Sequence, residues 1–188
     1  ETRVLDAGCG TGGTTSWLRK YGTVFAVDLQ FQAVQATRDR GIPVVLASTD
    51  ALPFRDGVFD MVTSFDVIYH ARVNNPQSTL EELCRVTVDG GRLLVRVPAF
   101  NVLDGPHDRF VHGVRRFRVG ELVTALTASG WHKCWAGYVN AFMFLPALLV
   151  RRLPARSFEG DLDRSASFGS LLYAIQWLET RARNYSGA

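Results

Sequence analysis

Four glycines and three carboxylates concentrate the chemistry open to this 188-residue chain. Asp6 closes the apolar run Val4-Leu5 and leads into Ala7-Gly8-Cys9-Gly10-Thr11-Gly12-Gly13. Asp28 closes a second apolar run twenty positions after Gly8, and Asp50 follows a third. Glycines let the main chain turn sharply and approach a ligand closely, and a carboxylate at that distance can accept hydrogen bonds from ribose hydroxyls. A strand, a glycine-rich turn and a helix in succession describe a nucleoside-binding α/β unit.

Gly8-x-Gly10-x-x-Gly13 also satisfies the dinucleotide fingerprint, which keeps a nicotinamide or flavin oxidoreductase open. Asp6 weighs the other way. A carboxylate two residues ahead of the first glycine is unwelcome to a pyrophosphate and stabilising to a cationic amino group. Asp50 adds an acidic position to which an adenine amine can donate. Each residue alone has a plainer role: Asp28 as a helix cap, Asp50 as a turn residue. Together they point to a cofactor.

Candidate reactive groups lie further on. His70 follows Ser64-Phe65-Asp66-Val67-Ile68-Tyr69, with Asp66 placed to orient it or to meet a ligand. His107 is a second candidate base or substrate contact, with a structural hydrogen bond as the alternative. His107, Asp108 and His112 lack a fourth ligand and sit at five-residue spacing, so no metal site is expected. Arg115 and Arg116 suit either an acidic acceptor or internal pairing.

The elements that must position these groups follow from apolar patterning. Arg3–Ala7, Thr23–Val27, Val44–Ala47, Val58 to about Ser64, Arg92–Val97 and Trp131–Tyr138 read as six strands. Helices are expected from near Thr14, capped by Thr14, Thr15 or Ser16, from Gln32 to Arg40, and from Pro76, with Leu80, Leu83, Cys84 and Thr87 on one face. Asp89-Gly90-Gly91 reads as a turn, and Val119, Leu122, Val123 and Leu126 mark a further amphipathic helix closed by Gly130. Apolar strands alternating with helices imply a doubly wound, mostly parallel sheet, whose ligands sit at the carboxyl ends of the strands.

At these residues the sequence resembles the class I S-adenosylmethionine-dependent methyltransferases, in particular their small-molecule group. Val4-Leu5-Asp6-Ala7-Gly8-Cys9-Gly10-Thr11-Gly12 resembles the family's first motif, and Asp50-Ala51-Leu52-Pro53-Phe54 its D-A-x-x-L-P-F segment. Phe59-Asp60 resembles the fourth-strand motif, and Leu83-x-Arg85-Val86 with Asp89-Gly90-Gly91 the later helix and turn. The resemblance implies S-adenosyl-L-methionine as cofactor and S-adenosyl-L-homocysteine as product. It implies cofactor contacts from Asp6, Gly8, Cys9, Gly10, Gly12, Asp28, Leu29, Asp50, Ala51, Phe65 and Asp66, with His70 and His107 as catalytic candidates. The segment from His107 to Phe117 is similar to the H-D-x-x-x-H-x-R-R-F run of one bacterial branch, and is expected to form an acceptor-side lid. The family's closing antiparallel strand, and the helix before its first strand, are expected to be missing here.

Composition sets the remaining bounds. A charged share of 21% and a net charge of +3, carried by scattered arginines, give no stripe expected of a nucleic-acid binder. Three distant cysteines without a CxxC fit a reducing cytosol. Residues 1–140 are expected to form the cofactor-binding core, and 141–188 a helical extension of the same domain. The apolar run Ala141–Val150, flanked by Arg151-Arg152, is too short to span a bilayer but suits a buried helix or a weak contact with a membrane surface. The expected partner is a small-molecule acceptor, hydrophobic or lipid-like ones included.

Overall fold

The computed structural model describes residues 1–71, 73, 75–103 and 115–139, with 141, 144 and 148 beyond them. The chain forms two compact units, Glu1–Ala136 and Gly137–Ala188. Most of the second, including the expected helical extension, lies outside the described residues.

The first unit is built on five strands: β1 (Arg3–Ala7), β2 (Thr23–Asp28), β3 (Val44–Leu46), β4 (Phe59–Phe65) and β5 (Thr87–Arg96). All neighbouring strands pair in parallel, in the order β3-β2-β1-β4-β5. The winding therefore reverses between β1 and β4, which opens a crevice at their carboxyl ends. Among the described residues four α-helices connect or follow the strands: α1 (Gly13–Leu18), α2 (Phe31–Asp39), α3 (Pro76–Val86) and α4 (Val119–Ala128).

Alternation along β1 sends successive side chains to opposite faces. Val4 packs with Leu18 and Val24 on one face, whereas Leu5 joins Val62, Leu80, Leu83 and Val86 on the other. Phe59 anchors the second cluster, meeting Phe54 edge-on with ring centroids 4.9 Å apart. Burial on both faces explains why these strands read as continuous apolar runs.

Four expectations need correction. Trp131–Tyr138 is irregular rather than a sixth strand. Trp131 is held at the end of α4, its N–H donating to Leu126 O at 3.0 Å and its indole to Leu80 O at 3.1 Å. The residues after it are mostly exposed and have no ladder partner among the described residues. Asp89-Gly90-Gly91 lies inside β5: Phe59 pairs with Thr87 and Met61 with Arg92, so the glycines form a bulge. Thr87 accordingly opens a strand instead of extending the α3 face. The N-cap of α1 is Gly12, in a left-handed conformation with no side-chain cap. Thr15 is unavailable for capping because its hydroxyl is committed to Asp6.

Candidate functional site

The glycine turn hangs from the end of β2. Gly8 N and Cys9 N both donate to Val27 O, at 2.8 and 3.0 Å, and Gly10 N donates to Asp28 Oδ2 at 2.8 Å. Gly8 has φ +86, and a Cβ there would lie 2.2 Å from Val67 Cγ2, so both backbone and packing demand glycine. Gly10 has φ +53, yet a Cβ there would meet nothing within 4 Å. Its surface is open to an approaching ligand.

That opening belongs to a cleft of about 260 Å³ at the strand ends, near the lower limit for small-molecule sites. Gly8 and Gly10 line it from the turn, and Asp28, Leu29 and Gln30 from the end of β2. Ala47, Ser48 and Thr49 contribute from the end of β3, and Phe65, Asp66, Val67, His70 and Val73 from the segment after β4. The elements on either side of the winding reversal thus build one site.

Of the expected residues, the cleft gathers Gly8, Gly10, Asp28, Leu29, Phe65, Asp66 and His70. Asp6, Cys9, Gly12, Asp50 and Ala51 are not among its lining residues. Asp6 is only 2% exposed, and its carboxylate accepts from Thr15 Oγ1 at 2.6 Å and Thr63 Oγ1 at 2.8 Å. It ties α1 and β4 to β1 beneath the turn. Burial raises its pKa above the ordinary value, against the opposing pull of the two hydroxyls. Cys9 is buried behind the turn, and desolvation pushes its thiol up to about 11. His107 lies outside the described residues.

Asp50 accepts a hydrogen bond from Thr79 of α3 and is not among the residues lining the cleft, whose wall here is Ser48 and Thr49. The D-A-x-x-L-P-F pattern contains the reason. Two residues separate its Ala from its Leu, whereas Asp50-Ala51 directly precede Leu52. Counted back from Leu52, the pattern's first two positions fall on Ser48 and Thr49. These, with Gln30, Ala47, Val67 and Val73, are the lining residues that the sequence reading missed, and the signal for the first two was the spacing itself.

The polar groups are arranged for a ligand rich in hydroxyls. Asp28 spends one lone pair of each oxygen on Gly10 N and Gln30 N, the latter at 2.8 Å, and retains others facing the cleft. Asp66 occupies φ +59, uncommon for a residue with a side chain. Arg96 at the end of β5 holds it there, accepting from Asp66 N at 2.9 Å through its carbonyl and pairing its guanidinium with the carboxylate. His70 is half-buried in a tight turn, its N–H donating to Val67 O at 2.9 Å. An open Gly10, a carboxylate at a strand end and a half-buried imidazole fit an adenosyl cofactor beside an acceptor.

Residues 5–95 match the family described as methyltransferase domain. Over 95 residues the chain is 42% identical to demethylmenaquinone methyltransferase of Mycobacterium tuberculosis, covering 50% of this chain and 39% of that protein. It is 33% identical over 97 residues to a Homo sapiens protein named for tRNA methyltransferase 9B, covering 50% of this chain and 21% of the relative. The match thus spans well under half the length of these curated relatives. Among solved structures, a chain from the complex between the Haloferax volcanii Trm112 methyltransferase activator and a methyltransferase superposes with a TM-score of 0.62. Its identity is 27%, over 70% of this chain and 62% of that one. Sheet order, glycine turn and sequence likeness agree in supporting, for residues 5–95, the class I S-adenosylmethionine-dependent methyltransferase family.

Proposed function

We propose that this chain binds S-adenosylmethionine in the cleft and directs its methyl group to a small-molecule acceptor, with a hydroxyl oxygen as the first atom to test. The observation that carries the reading is Asp28 facing the same cleft as the open backbone of Gly10. In this reading Asp28 accepts from the ribose hydroxyls, and Leu29 covers the base. Ser48 and Thr49 meet the adenine edge, and Phe65 and Asp66 border the amino-acid end. When bound, S-adenosylmethionine supplies an electrophilic methyl on its sulfonium sulfur. The protein's share is orientation and exclusion of water. His70 stands as the base that takes the proton of a hydroxyl acceptor.

The family match favours this reading over the dinucleotide alternative. Calorimetric titration with S-adenosylhomocysteine and with NADH separates the two, and binding of NADH alone would overturn the proposal. Turnover is then measured against hydroxylated, quinone and lipid-linked acceptors, with bulk tRNA included because one relative is named for it. His70→Asn should lower turnover of a hydroxyl acceptor by roughly 10²-fold or more and leave S-adenosylhomocysteine affinity unchanged. Equal turnover would remove His70 from the reaction.

A further inference from the structure

We propose that Thr37 is a positioning residue of the cleft: its hydroxyl fixes the Gly10–Thr11 peptide so that the turn presents an N–H, not a carbonyl, to the ligand. The inference rests on the cofactor reading above. Thr37 lies on α2 and is wholly buried, and its Oγ1 donates to Gly10 O at 2.9 Å. On the other side of the same residue, Gly10 N is held by Asp28. The β2–α2 unit therefore grips Gly10 at both of its peptides. Arg40, the C-cap of α2, adds a third bond, Nε donating to Thr11 O at 2.7 Å.

Nothing steric does this work. Gly10 has no side chain, and a Cβ there would find no neighbour within 4 Å. A glycine peptide in such a place rotates at little cost, so hydrogen bonds must choose its orientation. A trans peptide carries its C=O and N–H on opposite edges. With Gly10 O bonded into α2, Thr11 N–H points away from α2 toward the exposed side of the turn. That N–H donates to no acceptor among the described residues. A flip would replace the donor with a carbonyl, which repels the carboxylate of an amino-acid nucleoside.

A thiol stands behind the switch. Cys9 Sγ lies 3.6 Å from Thr37 Oγ1 and 3.5 Å from Gly10 O. The Thr37 hydroxyl gives its one proton to Gly10 O, and the Cys9 thiol donates to the same carbonyl. Burial keeps that thiol protonated and able to donate.

Thr37→Val keeps the shape and removes the hydroxyl; Thr37→Ser restores it. S-adenosylhomocysteine affinity by calorimetry should fall roughly five- to tenfold in the first and return to within about twofold of wild type in the second. Thr87→Val controls for stability, since its buried hydroxyl bonds Leu83 O at 2.6 Å far from the cleft. This control should lower the melting temperature and leave affinity unchanged. Wild-type affinity in Thr37→Val, or no recovery in Thr37→Ser, would overturn the proposal. Should wild type itself not bind, the cofactor reading fails, and the amide ¹⁵N shift of Thr11 in the ligand-free proteins still decides this one. A shift unchanged by Thr37→Val would refute it.

Discussion

Asp6 and Glu82 respond to their surroundings in opposite directions, and pH should expose the difference. Burial raises the Asp6 pKa above its ordinary 3.8, so its contribution to stability is fullest below that value and is lost as pH rises through the raised one. Hydrogen bonding from Arg85 lowers the Glu82 pKa below its ordinary 4.5, so its contribution is present above that value and lost as pH falls through the lowered one. In urea unfolding, Asp6→Asn should gain on wild type between pH 4 and pH 8. Glu82→Gln should fall behind wild type as pH rises from 3 to 5. Parallel curves would show that the carboxyls do not titrate this way. The thiols give a second contrast. At pH 8, iodoacetamide should label exposed Cys134 at least about a hundredfold faster than buried Cys9, read by peptide mass spectrometry. Comparable rates would mean that the turn opens. At this scale the sequence was legible where the backbone decides, as at Gly8, Gly10 and Asp28. It was silent on partners distant in sequence. Thr15 and Thr63 each bond one oxygen of Asp6, and Thr79 bonds one oxygen of Asp50.

Among the elements, α3 does more than cover the sheet. Arg85 donates to Phe54 O at 2.9 Å and Leu52 O at 3.2 Å and pairs with Asp56 and Glu82, while Glu82 Oε1 accepts from Leu52 N at 2.7 Å. Two side chains one turn apart thereby staple the Leu52–Asp56 loop that runs from the cleft wall to β4. Arg85→Met should cost about 1–3 kcal/mol in chemical denaturation, since the charge-assisted bonds to the Leu52 and Phe54 carbonyls are lost. A cost below about 0.5 kcal/mol would mean that water replaces the staple freely. Helices and inner strands were readable from apolar periodicity alone. The β5 bulge was not, because Asp-Gly-Gly is turn chemistry in any sequence, and only pairing with Phe59 and Met61 keeps it in the strand. Nor was the failed sixth strand. Trp131–Tyr138 has the residues of a strand but no ladder among the described residues.

For the whole molecule, the winding order makes the cleft a joint product of both halves of the sheet, so a ligand seated there should resist unfolding of the first unit as one body. At a hundred times its dissociation constant, S-adenosylhomocysteine should add about 2.7 kcal/mol and raise the melting temperature by roughly 5–10 °C. NADH at the same concentration should add nothing, and the reverse result would return the turn to the dinucleotide enzymes. The doubly wound architecture was legible because strands buried on both faces leave an unbroken apolar signature. One contact already described reaches past chemistry into descent. The Cβ that Gly8 lacks would occupy the space of a Val67 methyl group. Trimming Val67 to Ala would clear that space but leave the cost of φ +86, about 1 kcal/mol for any side chain at position 8. Position 8 is therefore locked twice, by its backbone conformation and by the valine that glycine makes room for. A lineage that lost this glycine would need a second change at 67, far away in the gene, and would still carry the backbone cost.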